Sequence, residues 1–325
     1  MESLMISFVI PSYNEAGNIA GVMEVIANEM LHQRVGYEVL FVDDGSTDGT
    51  MNEIRDLLFM YPEAEYISFT RNFGKEAAIL AGLQFAKGHA VILMDADLQH
   101  PPSLIPELLK GFEEGYDQVI AKRNRKGDSY FRSLLSSTYY RFVNKAIDVQ
   151  LENGEGDFRL LSRRAVDSIL LLSEGNRFSK GIFAWIGLEQ KTISYDNVVR
   201  QVGDTKWSLS KLLNYAIDGV VSFNTKPLRL CMYMGLTIVG AAIAYIVVTL
   251  IGIYKHGVDV PGYFTTITAV LLLGGIQLLS LGIIGEYIGR IYNETKKRPH
   301  FLVQQSSVES TTKEQTGQHA AIHGS

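Results

Sequence analysis

Residues 90–102 read AVILMDADLQHPP. Ala90 to Met94 is an unbroken apolar run of strand length, which predicts a buried strand. It ends at once in Asp95-Ala96-Asp97. Two carboxylates one residue apart at the end of a buried strand repel each other and lose hydration. A divalent cation that bridges them to phosphate oxygens relieves both, and Mg²⁺ or Mn²⁺ takes hard oxygen ligands of this kind. Gln99 adds a neutral oxygen, His100 could add a nitrogen, and Pro101-Pro102 set the turn into a helix. A strand end with solvated acidic turn residues would carry the same letters, so the flanking chain must decide.

Upstream, strands are predicted at Met5 to Ile10, Tyr37 to Val42 and Tyr66 to Phe69, with helices to about Leu31, over Met51 to Met60 and over Glu76 to Lys87. Downstream come a helix at Leu104 to Glu114 and a short strand at Gln118 to Ala121. Strands alternating with helices imply a mostly parallel, doubly wound α/β sheet. Ligands of such sheets bind at the carboxyl ends of the strands. The polar clusters Pro11 to Glu15, Asp43 to Gly49 and Asp95 to Gln99 all follow strand ends.

These clusters suit a nucleotide. Asp43 and Asp44 can accept hydrogen bonds from ribose hydroxyls or a base N–H, Gly45 and Gly49 permit close backbone approach, and Asp48 is placed to cap the next helix. Neither a G-x-x-x-x-G-K-[ST] phosphate loop nor a G-x-G-x-x-G after the first strand is present. A nucleotide whose phosphates are held by a metal rather than a glycine loop fits what remains. The balance of 30 basic and 35 acidic residues, net −5, argues against nucleic acid as the partner. The single cysteine, Cys231, rules out an intrachain disulfide. Nothing at the amino terminus resembles a signal peptide.

VIPSYNE at 9–15, VDDGSTDGT at 42–50 and DADLQ at 95–99 resemble the signature of family 2 inverting glycosyltransferases with the GT-A fold. RNFGKEAA at 71–78 and GDFRLLSRR at 156–164 narrow the resemblance to polyprenyl-phosphate hexosyltransferases, namely the dolichol-phosphate mannose synthase group and, more closely, bactoprenol glucosyltransferases. The resemblance covers residues 5 to 300. It implies that Pro11, Tyr13, Glu15 and Asp43 hold base and ribose, and Asp44, Lys75 and Asp95 are also expected on the nucleotide sugar. It implies that Asp95, Asp97 and Gln99 bind or position Mg²⁺ or Mn²⁺ on the diphosphate. Arg123 and Arg132 match positions associated with the lipid phosphate, and Arg200, Lys206 and Trp207 match a loop that closes over the donor. Asp157 is the family's catalytic carboxylate, with Asp97 beside it in the chemistry.

The role of Asp157 depends on the acceptor. A hydroxyl needs a base to take its proton. A phosphate monoester has a second pKa of about 6 and is already mostly dianionic at neutral pH. Against a lipid phosphate, Asp157 is expected to orient rather than to abstract. A buried structural Asp157 paired with Arg159 or Arg164 is the competing reading.

Leu230 to Tyr254 is 25 residues without a charge, and Tyr263 to Gly285 is 23. Each exceeds the roughly 20 residues that span a bilayer. Lys255 to Gly262 is too short for anything but an antiparallel hairpin, and Gly274, Gly275 and Gly282 suit close helix packing. Lys211, Lys226, Arg229, Arg290, Lys296, Lys297 and Arg298 flank the pair, against Lys255 alone in the loop. Seven cations against one place both ends in the cytoplasm. Ser208 to Phe223 repeats apolar residues at helical spacing and reads as an amphipathic interfacial helix, with a second around Arg132 to Ile147.

The chain therefore divides into a GT-A domain at 1–205, a juxtamembrane helix at 206–227, a transmembrane pair at 228–290 (about 230–254 and 263–287) and a tail at 291–325, disordered after about 304. The expected protein is a multi-pass enzyme of the inner (plasma) membrane with its catalytic domain and both termini in the cytoplasm. It would move a hexose from UDP-glucose or UDP-N-acetylglucosamine to undecaprenyl phosphate for the cell wall or another envelope polymer. A homo-oligomer, a flippase and a second glycosyltransferase are its expected partners, with the lipid bilayer and no nucleic acid. A processive polysaccharide synthase is disfavoured, because only Thr205-Lys206-Trp207 approaches a Q-x-x-R-W motif. A non-catalytic nucleotide-sugar scaffold would have no need of Asp95, Asp97 and Asp157 together.

Overall fold

The computed structural model describes residues 4–33, 35–98, 100–124, 155–172, 174–175, 177–195 and 262–308, with scattered positions between 233 and 255. Two compact units divide the chain: one holds 1–140, 151–205 and 299–325, the other 141–150 and 206–298.

The first unit is a three-layer α/β domain around a single eight-stranded sheet. Its strands are β1 (Met5–Ser12), β2 (Gly36–Asp43), β3 (Ala64–Phe69), β4 (Ala90–Leu93), β5 (Gln118–Arg123), β6 (Glu155–Ser162), β7 (Gln190–Tyr195) and β8 (Val303–Ser306). The spatial order is β7-β5-β6-β4-β1-β2-β3-β8. The pairs β1/β2, β1/β4, β2/β3 and β5/β7 are parallel, as alternation of strands and helices dictates. The pairs β4/β6, β5/β6 and β3/β8 are antiparallel. The mixed character thus comes entirely from β6 and β8.

The helices are α1 (Ile19–Met30), α2 (Thr50–Met60), α3 (Lys75–Phe85), α4 (Ile105–Glu113), α5 (Arg163–Leu170) and α6 (Ser179–Trp185). α1 buries Ile19, Val22, Met23, Ile26 and Met30. That i, i+3, i+4, i+7 stripe fixes the helix against the sheet at about 2 kcal/mol per side chain before entropy is counted. α3 is built of small residues because it lies close on β1. A Cβ added at Gly82 would stand 2.1 Å from Val9 Cγ1. β4 is buried along its whole length, as its unbroken apolar run requires.

The strand β8 corrects the expected tail. Disorder was expected after about 304, yet Ile67 pairs with Ser306 and Ser68 with Gln305. The backbone N–H of Ser307 donates to the Tyr66 carbonyl at 3.0 Å, and Val308 is buried. The edge of β3 supplies the unpaired backbone groups that a polar tail without periodicity cannot advertise.

In the second unit, α7 (Tyr263–Thr295) is 33 residues long. Among residues whose side chains are described, no helix is long and apolar enough to cross a membrane. That set leaves out Phe264, Ile267, Leu271, Leu272 and Leu279 of α7, and 11 of the 25 residues of the first expected span. The expected amphipathic helices at 132–147 and 208–223 lie outside the described residues.

Candidate active site

Loops at the carboxyl ends of β1, β2, β3 and β4 meet at one edge of the sheet. The first two are clasped together through Asn14, to which no sequence motif assigns a role. Asn14 sits in the left-handed region at φ 54°. Its Oδ1 accepts from Thr47 N at 2.9 Å, and its own N–H donates to Ser46 Oγ at 2.9 Å. Asp48 stands one residue before Gly49, the N-cap of α2, and accepts from Thr50 N and Ala16 N, so it ties the start of α2 to the loop after β1.

Asp43 and Asp44 are adjacent in sequence and differ in work. Asp43 accepts from Ser46 N and Ser68 Oγ and lines a cavity of about 510 Å³. Tyr13, Gly45, Arg55, Arg71 and Asn72 line the same cavity, and Tyr13 is 45% exposed. Asp44 turns the other way. Its two oxygens accept from the N–H groups of Phe73 and Gly74 at 2.6 and 2.9 Å. Burial pushes its carboxyl up against the pull of those two donors. Asp44, expected on the nucleotide, fastens the loop that delivers Lys75. Pro11 lies in β1 opposite Val42. Glu15 accepts from Asn18 Nδ2 and donates its N–H to Thr50, holding its own loop.

A second cluster lies beyond β4. Lys75 Nζ stands 2.6 Å from Asp95 Oδ1 and 2.6 Å from Asp157 Oδ2. The antiparallel register explains why the two acids meet. Leu93 pairs with Arg159, so the same register continued two residues sets Asp95 opposite Asp157. Burial would raise the Asp157 carboxyl, but Lys75, helped by Lys180 and Arg159, outweighs it and holds the group at about 2. Burial would lower the Lys75 ammonium, but Asp95 and Asp157 raise it. The competing structural pairing of Asp157 with Arg164 is not found, since Arg164 bonds Asp117. Arg159 donates to the Gly156 carbonyl and covers the Phe183 ring.

His100, which the sequence offers as a possible nitrogen ligand, belongs to this cluster. Its ring stacks on Phe158, and Nδ1 lies 2.5 Å from the Tyr195 hydroxyl. Burial lowers its pKa, against the pull of Asp95, Asp97 and Asp157. Asp97 is exposed on the same loop. Arg123 ends β5 beside Tyr195 in the register. Gln99, Arg132, Arg200, Lys206 and Trp207 lie outside the described residues.

The edge thus offers a polar cavity and, along the chain from Arg71 to Lys75, a cation held between two carboxylates. The family model described as Glycosyl transferase family 2 matches residues 7–170, which carry Lys75, Asp95, Asp157 and most of the cavity lining. The chain belongs to glycosyltransferase family 2. Its sheet is GT-A-like, and the resemblance drawn from the motifs is borne out. A second family model, the GtrB C-terminal hairpin, matches residues 226–291. The putative glycosyltransferase CsbB of Bacillus subtilis is 60% identical over 95% of this chain and 94% of its own. The prophage bactoprenol glucosyl transferase homolog of Escherichia coli is 39% identical over 93% and 99%. The bactoprenol glucosyl transferase of Shigella phage SfII is 39% identical over 93% and 98%. As a member of the family the protein is an enzyme that transfers a glycosyl group.

Proposed function

We propose that this glycosyltransferase moves a hexose from a uridine diphosphate sugar, UDP-glucose or UDP-N-acetylglucosamine, to polyprenyl phosphate at the cytoplasmic face of the plasma membrane. The observation that carries the reading is the Lys75 ammonium between Asp95 and Asp157, on the segment that runs from the nucleoside cavity. The relatives named for bactoprenol supply the acceptor class. The two uncharged runs and the match to the GtrB hairpin support a membrane anchor.

In this reading the base and ribose occupy the cavity over Asp43 and Tyr13. The acceptor's phosphate oxygen attacks the anomeric carbon from the side opposite the diphosphate. The new C–O bond forms as the bond to the nucleotide breaks, and the configuration inverts. Negative charge grows on the departing diphosphate, so cationic groups aimed at it are the main source of rate. Lys75 is one such group. Asp157 takes no proton from a phosphate that is already ionised; it holds Lys75 and the sugar in place.

The donor set also fits a divalent cation in kind. Asp95 and Asp97 give hard carboxylate oxygens on one short loop, with Gln99 beside them in sequence. Among the described residues no group of three or more His, Cys, Asp or Glu is gathered, and Asp95, Asp97 and Gln99 would be the residues to hold a cation here. Bound there, Mg²⁺ or Mn²⁺ would offset charge on the leaving group. Product lipid would pass to a flippase and a second transferase.

The test is direct. Full-length protein in nanodiscs receives labelled UDP-glucose or UDP-N-acetylglucosamine, Mg²⁺ or Mn²⁺ and undecaprenyl phosphate. A single lipid-linked sugar is expected. A polymer, or no product from any nucleotide sugar, would overturn the reading.

A further inference from the structure

The tail that follows the hairpin segment returns to the sheet and forms one wall of the nucleoside cavity. Gln304 and Gln305 line it together with Tyr13, Asp43 and Arg71. Consecutive residues of a regular strand point to opposite faces, so two neighbouring side chains on one cavity need an explanation. The register supplies it. Ser68 pairs with Gln305, but Phe69 pairs with Val303, and Gln304 is the extra residue of a bulge. Bulges re-aim a side chain and recur beside binding sites.

The strand is firmly held. Phe301 stacks on Phe69 with ring centres 4.9 Å apart, the Thr70 N–H donates to the Leu302 carbonyl, and the Tyr66 N–H donates to Ser307 Oγ. Arg55 Nη2 lies 2.6 Å from Gln305 Oε1. A guanidinium can only donate, so it fixes the amide with its oxygen toward Arg55 and its NH₂ turned away. Arg55 and Arg71 bring further N–H donors to the same cavity. A wall of donors suits a base edge rich in carbonyl oxygens. Uracil offers two such oxygens, whereas cytosine presents an amino group in place of one.

We propose that Gln304 and Gln305, delivered by the C-terminal strand, contact the donor base and select a keto pyrimidine over an amino one. This rests on the reading that the cavity holds the nucleoside of a nucleotide sugar. It also means that the glycosyltransferase fold is incomplete at its donor site without residues that follow the hairpin.

The experiment is calorimetric titration of UDP and CDP into full-length detergent-solubilised protein, alongside Gln304→Ala, Gln305→Ala and Arg55→Ala. Wild type is expected to prefer UDP. Each glutamine variant is expected to bind UDP about fivefold to tenfold more weakly, as for loss of one hydrogen bond, while CDP binding falls less. The narrowed UDP-to-CDP ratio separates a lost contact from a damaged fold, which would weaken both ligands alike. Wild type that binds UDP, with both glutamine variants within twofold of it, overturns the role of the tail alone. Wild type that binds no nucleoside diphosphate overturns the proposed function as well.

Discussion

Lys75 Nζ lies 2.6 Å from Asp157 Oδ2, although 82 residues separate them. The same ammonium touches Asp95, so one cation holds apart two carboxylates that the β4/β6 register brings face to face. The side chains keep 45%, 28% and 21% of their surface exposed for Lys75, Asp95 and Asp157, so a ligand can reach them. Asp157→Asn keeps the shape and removes the charge that holds Lys75. Turnover is expected to fall by about 10²- to 10³-fold, the cost of one misplaced electrostatic group. UDP affinity should stay within about threefold, because the cavity over Asp43 and Tyr13, proposed to hold the nucleoside, does not include Asp157. Steady-state rates with separate UDP titration check this; a large loss of UDP binding at full turnover would contradict it.

In the proposed reading Lys75 and a divalent cation answer the same need, since Lys75 already offsets the charge of Asp95 and a cation held there would do so too. Lys75→Ala leaves Asp95 and Asp157 facing each other without the ammonium. Mn²⁺ should then bind several-fold more tightly, as the local potential becomes more negative, while turnover drops. Titration of Mn²⁺ followed by electron paramagnetic resonance gives the affinity. Unchanged Mn²⁺ binding would place the metal away from Asp95.

The pH dependence follows from the sign of the Asp157 shift. Burial works against ionisation, but Lys75 prevails and the carboxyl is held at about 2. A group depressed below its ordinary value of about 3.9 stabilises the fold above that value and loses the contribution as pH falls through about 2. Between pH 5 and 9 Asp157 is therefore ionised throughout and adds no limb to the rate profile. An acid limb near 6 belongs to the second ionisation of the acceptor phosphate. It should move when a phosphonate acceptor with a shifted pKa replaces the phosphate. A limb that stays fixed would assign the ionisation to the enzyme.

How far these features were legible depends on where their causes lie. β1 to β5 and α1 to α4 could be read because each is a contiguous apolar pattern, and their order alone implies a parallel core. β6 was seen only as the motif around Asp157. Its antiparallel return beside β4 leaves no periodic mark in GDFRLLS, so the meeting of Asp95 with Asp157 was invisible. Asp43 and Asp44 read alike in sequence; a backbone that turns between them gave one to the cavity and the other to Phe73 and Gly74. Gln304 and Gln305 lay in a polar tail with no hydrophobic signal, and their partner Arg55 is 250 residues away.

That division between the two acids can be separated experimentally. Asp43→Ala should weaken UDP binding with a modest loss of stability. Asp44→Ala strands two N–H groups and is expected to cost about 2 kcal/mol, near 5 °C in Tm for a domain of this size. Gly45→Ala should cost at least as much. Gly45 has φ 67°, and a Cβ there would stand 2.4 Å from the Arg71 carbonyl carbon, a backbone atom that cannot step aside. Thermal unfolding and UDP titration of the three variants distinguish the roles, and an Asp44→Ala protein of normal Tm with lost UDP binding would return Asp44 to the nucleotide.

The membrane arrangement has its own test, made simple by the sole cysteine. In a Cys231→Ser background, a cysteine placed at Val258 lies in the loop between the two uncharged runs, and one placed at Ser310 lies beyond β8. The proposed orientation rests on seven cations outside the loop against one inside it, by the bias of Lys and Arg toward the cytoplasm. A membrane-impermeant maleimide added to intact cells should label Val258→Cys and leave Ser310→Cys unlabelled until the cells are opened. Labelling of both before opening, or of Ser310→Cys alone, would exclude the cytoplasmic donor site, because nucleotide sugars are found where the tail and its glutamines would then not be.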